Sequence, residues 1–156
     1  MSDQDKPRVF IGSSAESLWI AEAIQENIKH SSYCEIWTQG TFKPSGTALD
    51  NLCAALNQFD FAIFVFSPDD VTKIRDHSYG TVRDNVLFET GLFIGKIGRN
   101  RVFYIAPQGM ELHLPTDLLG FNPEQYDTKH PNLIAAVGAS CAVIKREILR
   151  LGSLSS

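Results

Sequence analysis

Apolar positions along the chain switch repeatedly between runs that suit strands and spacings that suit helices. Val9, Phe10 and Ile11 predict a short strand over 8–11. Ser13-Ser-Ala-Glu16 then has the spacing of a capping box, and Leu18, Ala21, Ile24 and Ile28 form one helix face. A second strand is predicted over 34–37, followed by a Gly/Pro/Ser-rich loop over 38–46. Thr47 is placed to cap a helix whose Leu49, Leu52, Cys53 and Leu56 recur at i, i+3, i+4 and i+7. The unbroken apolar run over 61–66 predicts a strand buried on both faces, central in a parallel sheet. The polar stretch 69–81 reads as a loop, and the apolar stretch 85–95 as a buried or half-buried helix. Gly91, Gly95 and Gly98 weaken that helix locally and are expected to flatten one side for close packing. A fourth strand follows over 101–105, then a short helix over 114–119 and a minor strand near 125–126. Ile134, Val137, Cys141, Ile144, Ile148 and Leu151 alternate spacings of three and four, predicting one long closing helix.

This alternation argues for a single α/β domain built on a mainly parallel, five-stranded sheet with helices on both faces. In such folds ligands sit beyond the carboxyl ends of the strands, where the strand order reverses. The segments 12–14, 37–46, 67–70 and 106–109 would meet there, with the 85–95 helix rising from the third of them.

Glu89 stands out in that helix as the sole charged residue between Asp84 and Lys96. A desolvated carboxylate has a partner or a task, because burying an unpaired charge costs several kcal/mol, on the order of the desolvation penalty of one ion. Its helical neighbours Asn85, Val86, Leu92 and Phe93 offer no cation. Two readings follow: an ion pair with a distant Arg, or a carboxylate lining a site.

Composition narrows the chemistry. With 156 residues the chain is long enough to hold a core without disulfides or metal. A net charge of −4 and the absence of a Lys/Arg-rich stretch argue against nucleic-acid binding. Cys34, Cys53 and Cys141 are far apart and odd in number, so they read as reduced thiols packed as small apolar groups. No apolar leader or membrane-length run is visible, and a cytoplasmic location is expected. Residues 1–7 are expected to be disordered, 8–150 to form the domain, and 151–156 to resemble a linker leading to a further sensor domain.

Several motifs fail. The stretch from Gly12 lacks both G-x-G-x-x-G and a phosphate-loop Lys. Ser13 and Ser14 could offer hydroxyls and backbone N–H groups to a phosphate, or could simply cap the next helix. Asp69-Asp70 lacks the acidic pair after the first strand that a receiver domain needs, so these residues read as solvated turn positions, with Asp69 a candidate for the rim of the site. The four His residues are scattered, no metal-ligand spacing occurs, and the Gly-x-Ser-x-Gly elbow is missing. What remains is one buried-looking carboxylate at a strand-end crevice. Glycosidases commonly need two carboxylates, one to protonate the leaving group. Nicotinamide leaving NAD⁺ needs no such acid, because its ring nitrogen is cationic before cleavage and neutral after. A single carboxylate that steadies the oxocarbenium-like ribose suffices for N-ribosyl cleavage.

The stretches 9–14, 36–38, 60–70 and 114–120, and above all Arg83-Asp-Asn-Val-Leu-Phe-Glu-Thr-Gly-Leu-Phe-Ile-Gly95, resemble the bacterial TIR-like domains of anti-phage effectors in cyclic-nucleotide signalling (CBASS and Pycsar), including TIR–STING fusions and Pycsar TIR proteins. The resemblance runs from about residue 8 to residue 150. It implies a flavodoxin-like TIR fold and hydrolysis of NAD⁺, taken as substrate with no separate cofactor or metal. It maps the essential glutamate onto Glu89. The 39–46 loop would mediate head-to-tail self-association and help close the site, with Trp37 and Phe42 as aromatic contacts or as ordinary packing. Gly12, Ser13, Ser14, Ser67 and Asp69 would line the dinucleotide crevice. Asp84 and Asn85 would hold ribose hydroxyls or cap their helix, and Arg83 would offset local negative charge. A linked or associated cyclic-nucleotide sensor is the implied activating partner. Two rival readings share this pattern: a non-catalytic TIR self-association module, and a nucleoside deoxyribosyltransferase-like enzyme.

Overall fold

The computed structural model describes residues 6–37, 47–109, 112–114, 118 and 123–154. Its main sheet takes β1 (Arg8–Gly12), β2 (Tyr33–Trp37), β3 (Phe61–Val65), β6 (Val102–Pro107) and β8 (Glu124–Tyr126) in the order β2-β1-β3-β6-β8, every pair parallel. Every residue of β3 is buried, as expected of a strand with helices over both faces. The order reverses between β1 and β3, which puts the topological switch point at their carboxyl ends.

Alternation along the strands sorts the core into two layers. Val9, Ile11, Phe61, Ile63 and Val65 pack under α1 (Leu18–Ile28) and α5 (Gly138–Leu151), through Ile24, Ile28, Ile144 and Ile148. Phe10, Ala62, Phe64 and Phe66 face the opposite way, toward α2 (Ala48–Ala55) and α3 (Asp84–Ile97). Phe10 is the hub of that second layer, with ring centroids 4.5 Å from Phe93, 5.4 Å from Phe59 and 5.7 Å from Phe64. Burying each such ring contributes about 1.5–3 kcal/mol.

Several expectations are corrected. The stretch 69–81 is no loop: β4 (Asp70–Ile74) and β5 (His77–Thr81) form an antiparallel hairpin, and β5 also pairs in parallel with β7 (Leu112–His113). Arg75 and Asp76 turn the hairpin at φ 49° and 64°, the left-handed pair of a two-residue hairpin turn. Its strands are polar and largely exposed, so no apolar period announces them. The closing helix is split. Asn132 caps α4 (Leu133–Ala136) by accepting from the Ala135 amide, and α5 starts afresh at Gly138. Ile134 is left exposed by that break, and Asn27 Nδ2 on α1 donates to its carbonyl at 2.9 Å.

Thr47 does cap α2, accepting from the Asp50 amide at 3.1 Å. The buried face of α2 and its continuation, however, is Leu52, Ala55 and Leu56, while Leu49 and Cys53 are exposed. Leu18 is exposed as well. Gly91 and Gly95 pack against nothing: a Cβ on either would meet no atom within 4 Å among the described residues. Beyond α5, Arg101 Nη1 donates to the Gly152 carbonyl at 2.7 Å and the Leu154 amide donates to Asp60 Oδ1 at 2.9 Å, folding 152–154 back under the sheet. Among the described residues, no helix is long and apolar enough to cross a membrane. Of the 114–119 helix only Leu114 and Leu118 are described, so that expectation lies outside the described residues.

Candidate functional site

The serines after β1 act differently from helix caps. Neither Ser14 nor Ser17 makes a side-chain cap to the short 3₁₀ turn or to α1. Ser14 Oγ instead donates to Asp69 Oδ2 at 2.5 Å, across the switch point. Ser17 Oγ donates to Ser67 Oγ at 2.9 Å and lies 3.5 Å from the same Asp69 oxygen. Asp69 is oriented for this by its own amide, which donates to the Ser67 carbonyl at 2.8 Å. Asp69 is thus half-buried and bonded, which corrects the expectation of a solvated turn residue; Asp70 is exposed. Burial first, and the Asp69 carboxylate second, push the Tyr126 phenol above its ordinary value. Ser13 Oγ is the exception in this cluster: buried, and without a hydrogen-bond partner among the described residues. Ser17 was not singled out from sequence, because Ser-x-x-Ser before a helix carries no signal beyond capping.

Glu89 lies on the other layer. α3 descends from the carboxyl edge of the sheet to feed β6, so its second turn, which holds Glu89, sits near that edge. The turn after it carries Phe93 into the ring cluster around Phe10, and Phe10 in turn meets Trp37 at 5.5 Å. Glu89 is half-buried and makes no hydrogen bond or ion pair with any described residue. Desolvation pushes its carboxyl from the usual 4.5 to about 7. The distant-Arg reading finds no Arg here: Arg83 is committed to Glu16 at 2.9 Å and to Asp70 at 3.4 Å.

The remaining candidates fall around these two groups. Gly12 is buried at the end of β1, and Trp37 is half-buried at the end of β2. Asp84 and Asn85 are exposed in the first turn of α3, where no side chain caps the helix and the Arg83 carbonyl receives the Val86 and Leu87 amides instead. Asn85 lies one turn before Glu89 on the same side. Asp84 is rotated about 140° from Glu89 around the helix, and it lines an open cavity of about 590 Å³ under the hairpin with Asp70, Thr81, Leu87 and His113. Phe42 and the 39–46 loop lie outside the described residues. Among the described residues, no cluster of His, Cys, Asp and Glu could hold a metal.

The family model described as the TIR domain of the CAP12/Pycsar effector protein matches residues 8–128. The chain belongs to that TIR-domain family. It is 40% identical over 147 residues to the Pycsar effector protein PaPycTIR of Pseudomonas aeruginosa, a match covering 92% of this chain and 48% of that protein. It is 44% identical over 126 residues to CD-NTase-associated protein 12 of Flavobacterium daejeonense, covering 81% of this chain and 40% of that one. This TIR domain therefore spans about half the length, or less, of these relatives. Among solved structures, a flavo di-iron protein variant from Thermotoga maritima superposes with a TM-score of 0.57 at 10% identity, over 94% of this chain and 36% of that one. A diflavin flavoprotein from Nostoc superposes at 0.50 with 12% identity, over 94% of this chain and 98% of that one. At these identities the likeness concerns the fold alone, and it agrees with the β2-β1-β3-β6-β8 order.

Proposed function

We propose that this TIR domain is an NAD⁺ nucleosidase, hydrolysing NAD⁺ to nicotinamide and ADP-ribose as the effector part of an anti-phage defence protein. The observation that carries the reading is Glu89, a half-buried carboxylate with no partner among the described residues, near the carboxyl edge of a doubly wound sheet. A fold does not keep an unpaired, desolvated carboxylate for stability, since desolvation makes it a cost. A cationic substrate arriving beside it recovers that cost as binding and as transition-state stabilisation.

In this mechanism the C1′–N bond breaks and its electron pair returns to the nicotinamide ring, which leaves neutral without a proton. Positive charge develops on the ribose at C1′, and the ionised Glu89 faces it. Water then adds at C1′ and releases a proton to solvent, giving ADP-ribose. An opposite charge at 4 Å in a surface-like dielectric is worth about 4 kcal/mol, or roughly a thousandfold in rate. Asn85, one turn away on the same side, is proposed to hold the hydroxyls of the same ribose. Trp37 is proposed to offer an aromatic face to the cationic ring. Gly12, Ser13, Ser14, Ser67 and Asp69 are assigned to the rest of the dinucleotide. No cofactor or metal is invoked.

Activation by assembly belongs to the same proposal. Relatives carry the names Pycsar effector and CD-NTase-associated protein. A cyclic-nucleotide sensor, in the part of such proteins that this chain does not span, would stack TIR units head-to-tail through the 39–46 loop.

The test is nicotinamide release from NAD⁺ at high protein concentration with crowding agents, for the wild type beside Glu89→Gln. The expected outcome is release by the wild type and a loss of about 100-fold or more in kcat for the variant. Equal release by both would remove Glu89 from the mechanism. Release by neither, with the units forcibly oligomerised, would favour a non-catalytic association module.

A further inference from the structure

The two groups of candidate residues sit on opposite layers of the sheet. Glu89 belongs to the layer of α2 and α3, beside the ring cluster of Phe10 and Phe93. Ser17 leads into α1 and Asp69 stands beside Tyr126, both on the layer of α1 and α5. A ligand touching both groups must cross the carboxyl edge of the sheet at the β1/β3 switch point, as dinucleotides do in doubly wound folds. With the nicotinamide ribose at Glu89, the other ribose of the dinucleotide falls to the serine–aspartate cluster.

The chemistry of that cluster suits sugar hydroxyls and opposes phosphate. A phosphate at the start of α1 would meet the Asp69 carboxylate, which Ser14 holds in place from the β1 side, with the Ser17 hydroxyl 3.5 Å away. Among the described residues the hydrogen bonds to that carboxylate all reach Oδ2, so Oδ1 keeps its lone pairs for a ligand. Ser13, a residue only 3% exposed whose Oγ has no partner among the described residues, adds a hydroxyl at the same strand end. A vicinal diol supplies two O–H donors to such acceptors, whereas a phosphate monoester brings only acceptors and negative charge at neutral pH.

We propose that Asp69, positioned by Ser14, binds the free 2′-hydroxyl of the adenosine ribose and excludes a 2′-phosphate, so that the site takes NAD⁺ and rejects NADP⁺. This rests on the reading of the crevice as a NAD⁺ site. It replaces a phosphate-binding role for Ser13 and Ser14 with a sugar-binding one.

Two measurements test it. Binding of ADP-ribose and of its 2′-phosphate to the wild-type chain, by calorimetry, needs no turnover. ADP-ribose is expected to bind about tenfold or more tightly than the 2′-phosphate, the effect of a like charge at the recognised atom. In Asp69→Asn, which keeps an acceptor for Ser14 but loses the charge, that ratio is expected to collapse toward unity, and the ratio of kcat/KM for NAD⁺ over NADP⁺ with it. Equal affinities in the wild type, binding of neither ligand, or a ratio unchanged in Asp69→Asn would overturn the inference. Selective binding of ADP-ribose without cleavage of NAD⁺ would uphold the inference and sink the hydrolase reading instead.

Discussion

Gly12 and Phe64 are register partners across the parallel pair β1 and β3, and the Phe64 ring fills the place where a side chain of Gly12 would stand. A Cβ there would lie 2.7 Å from Phe64 Cδ1 and Cε1, and 3.0 Å from Phe10 Cε1. Phe64 and Phe10 are fully buried, so neither ring has room to retreat.

Gly12→Ala is therefore expected to destabilise the domain by about 1–3 kcal/mol, the ordinary cost of overpacking a filled core. Urea denaturation reads this as a lower midpoint with an unchanged slope. An unaffected midpoint would mean that the two rings shift together at little cost.

Glu89 makes stability depend on pH in a direction opposite to a salt-bridged carboxylate. Its folded carboxyl titrates near 7 against an ordinary 4.5, so between those values the folded state holds a proton that the unfolded chain has lost. Stability thus falls as pH rises through that window and levels off above it. Glu89→Gln removes the effect, and at pH 8 is expected to stabilise by on the order of 3 kcal/mol, or about 5–10 °C in melting temperature. At pH 4 the two proteins should melt together. A variant that melts lower than the wild type at pH 8 would reveal a structural ion pair.

The proposed NAD⁺ cleavage would carry the same titration with the opposite sign. In the proposed mechanism only the ionised Glu89 opposes charge developing on the ribose, so kcat/KM is expected to rise with pH and level off above about 7. A profile flat from pH 5 to 8 would separate the chemistry from this group.

Arg83 joins the loop after β1 to the hairpin, bonding Glu16 at 2.9 Å and Asp70 at 3.4 Å. Glu16 is held below the usual carboxylate range, first by its own backbone amide and next by Arg83. That contribution is present above the ordinary carboxylate pKa and is lost as pH falls through the lowered one. Because the pairs face solvent, Arg83→Ala is expected to leave global melting nearly unchanged. Amide hydrogen exchange should instead speed up locally in β4 and β5. Protection unchanged there would show that the hairpin stands without this tie.

The cysteines should separate by reactivity. Cys53 is exposed on α2, whereas burial pushes Cys141 up to about 12 and also raises Cys34, against the opposing hydrogen bond with Ser32. Brief alkylation of the folded protein, read by mass spectrometry, is expected to modify Cys53 alone, with Cys34 and Cys141 labelled only on unfolding. Early labelling of Cys141 would mean that α5 opens locally.

What the sequence determined by itself is the layered architecture, because burial repeats with the period of each element. The apolar run over 61–66 reads as a strand covered on both faces, and the Ile144–Ile148 spacing as the apolar face of a helix, and both elements are present. Glu89 was legible for the same reason: a carboxylate within an apolar period is an anomaly that needs no coordinates to notice. The tertiary structure alone decided whatever depends on residues distant in the chain. Ser14 and Asp69 are 55 positions apart, and each by itself reads as a cap or a turn. Only the β1/β3 crossing turns them toward each other and brings Ser17 and Ser67 alongside. The hairpin over 70–81 was equally silent, since strands that bury little leave no apolar period to read. Local pattern records which face of an element is dry; which polar groups meet at the edge of the sheet is set by chain topology.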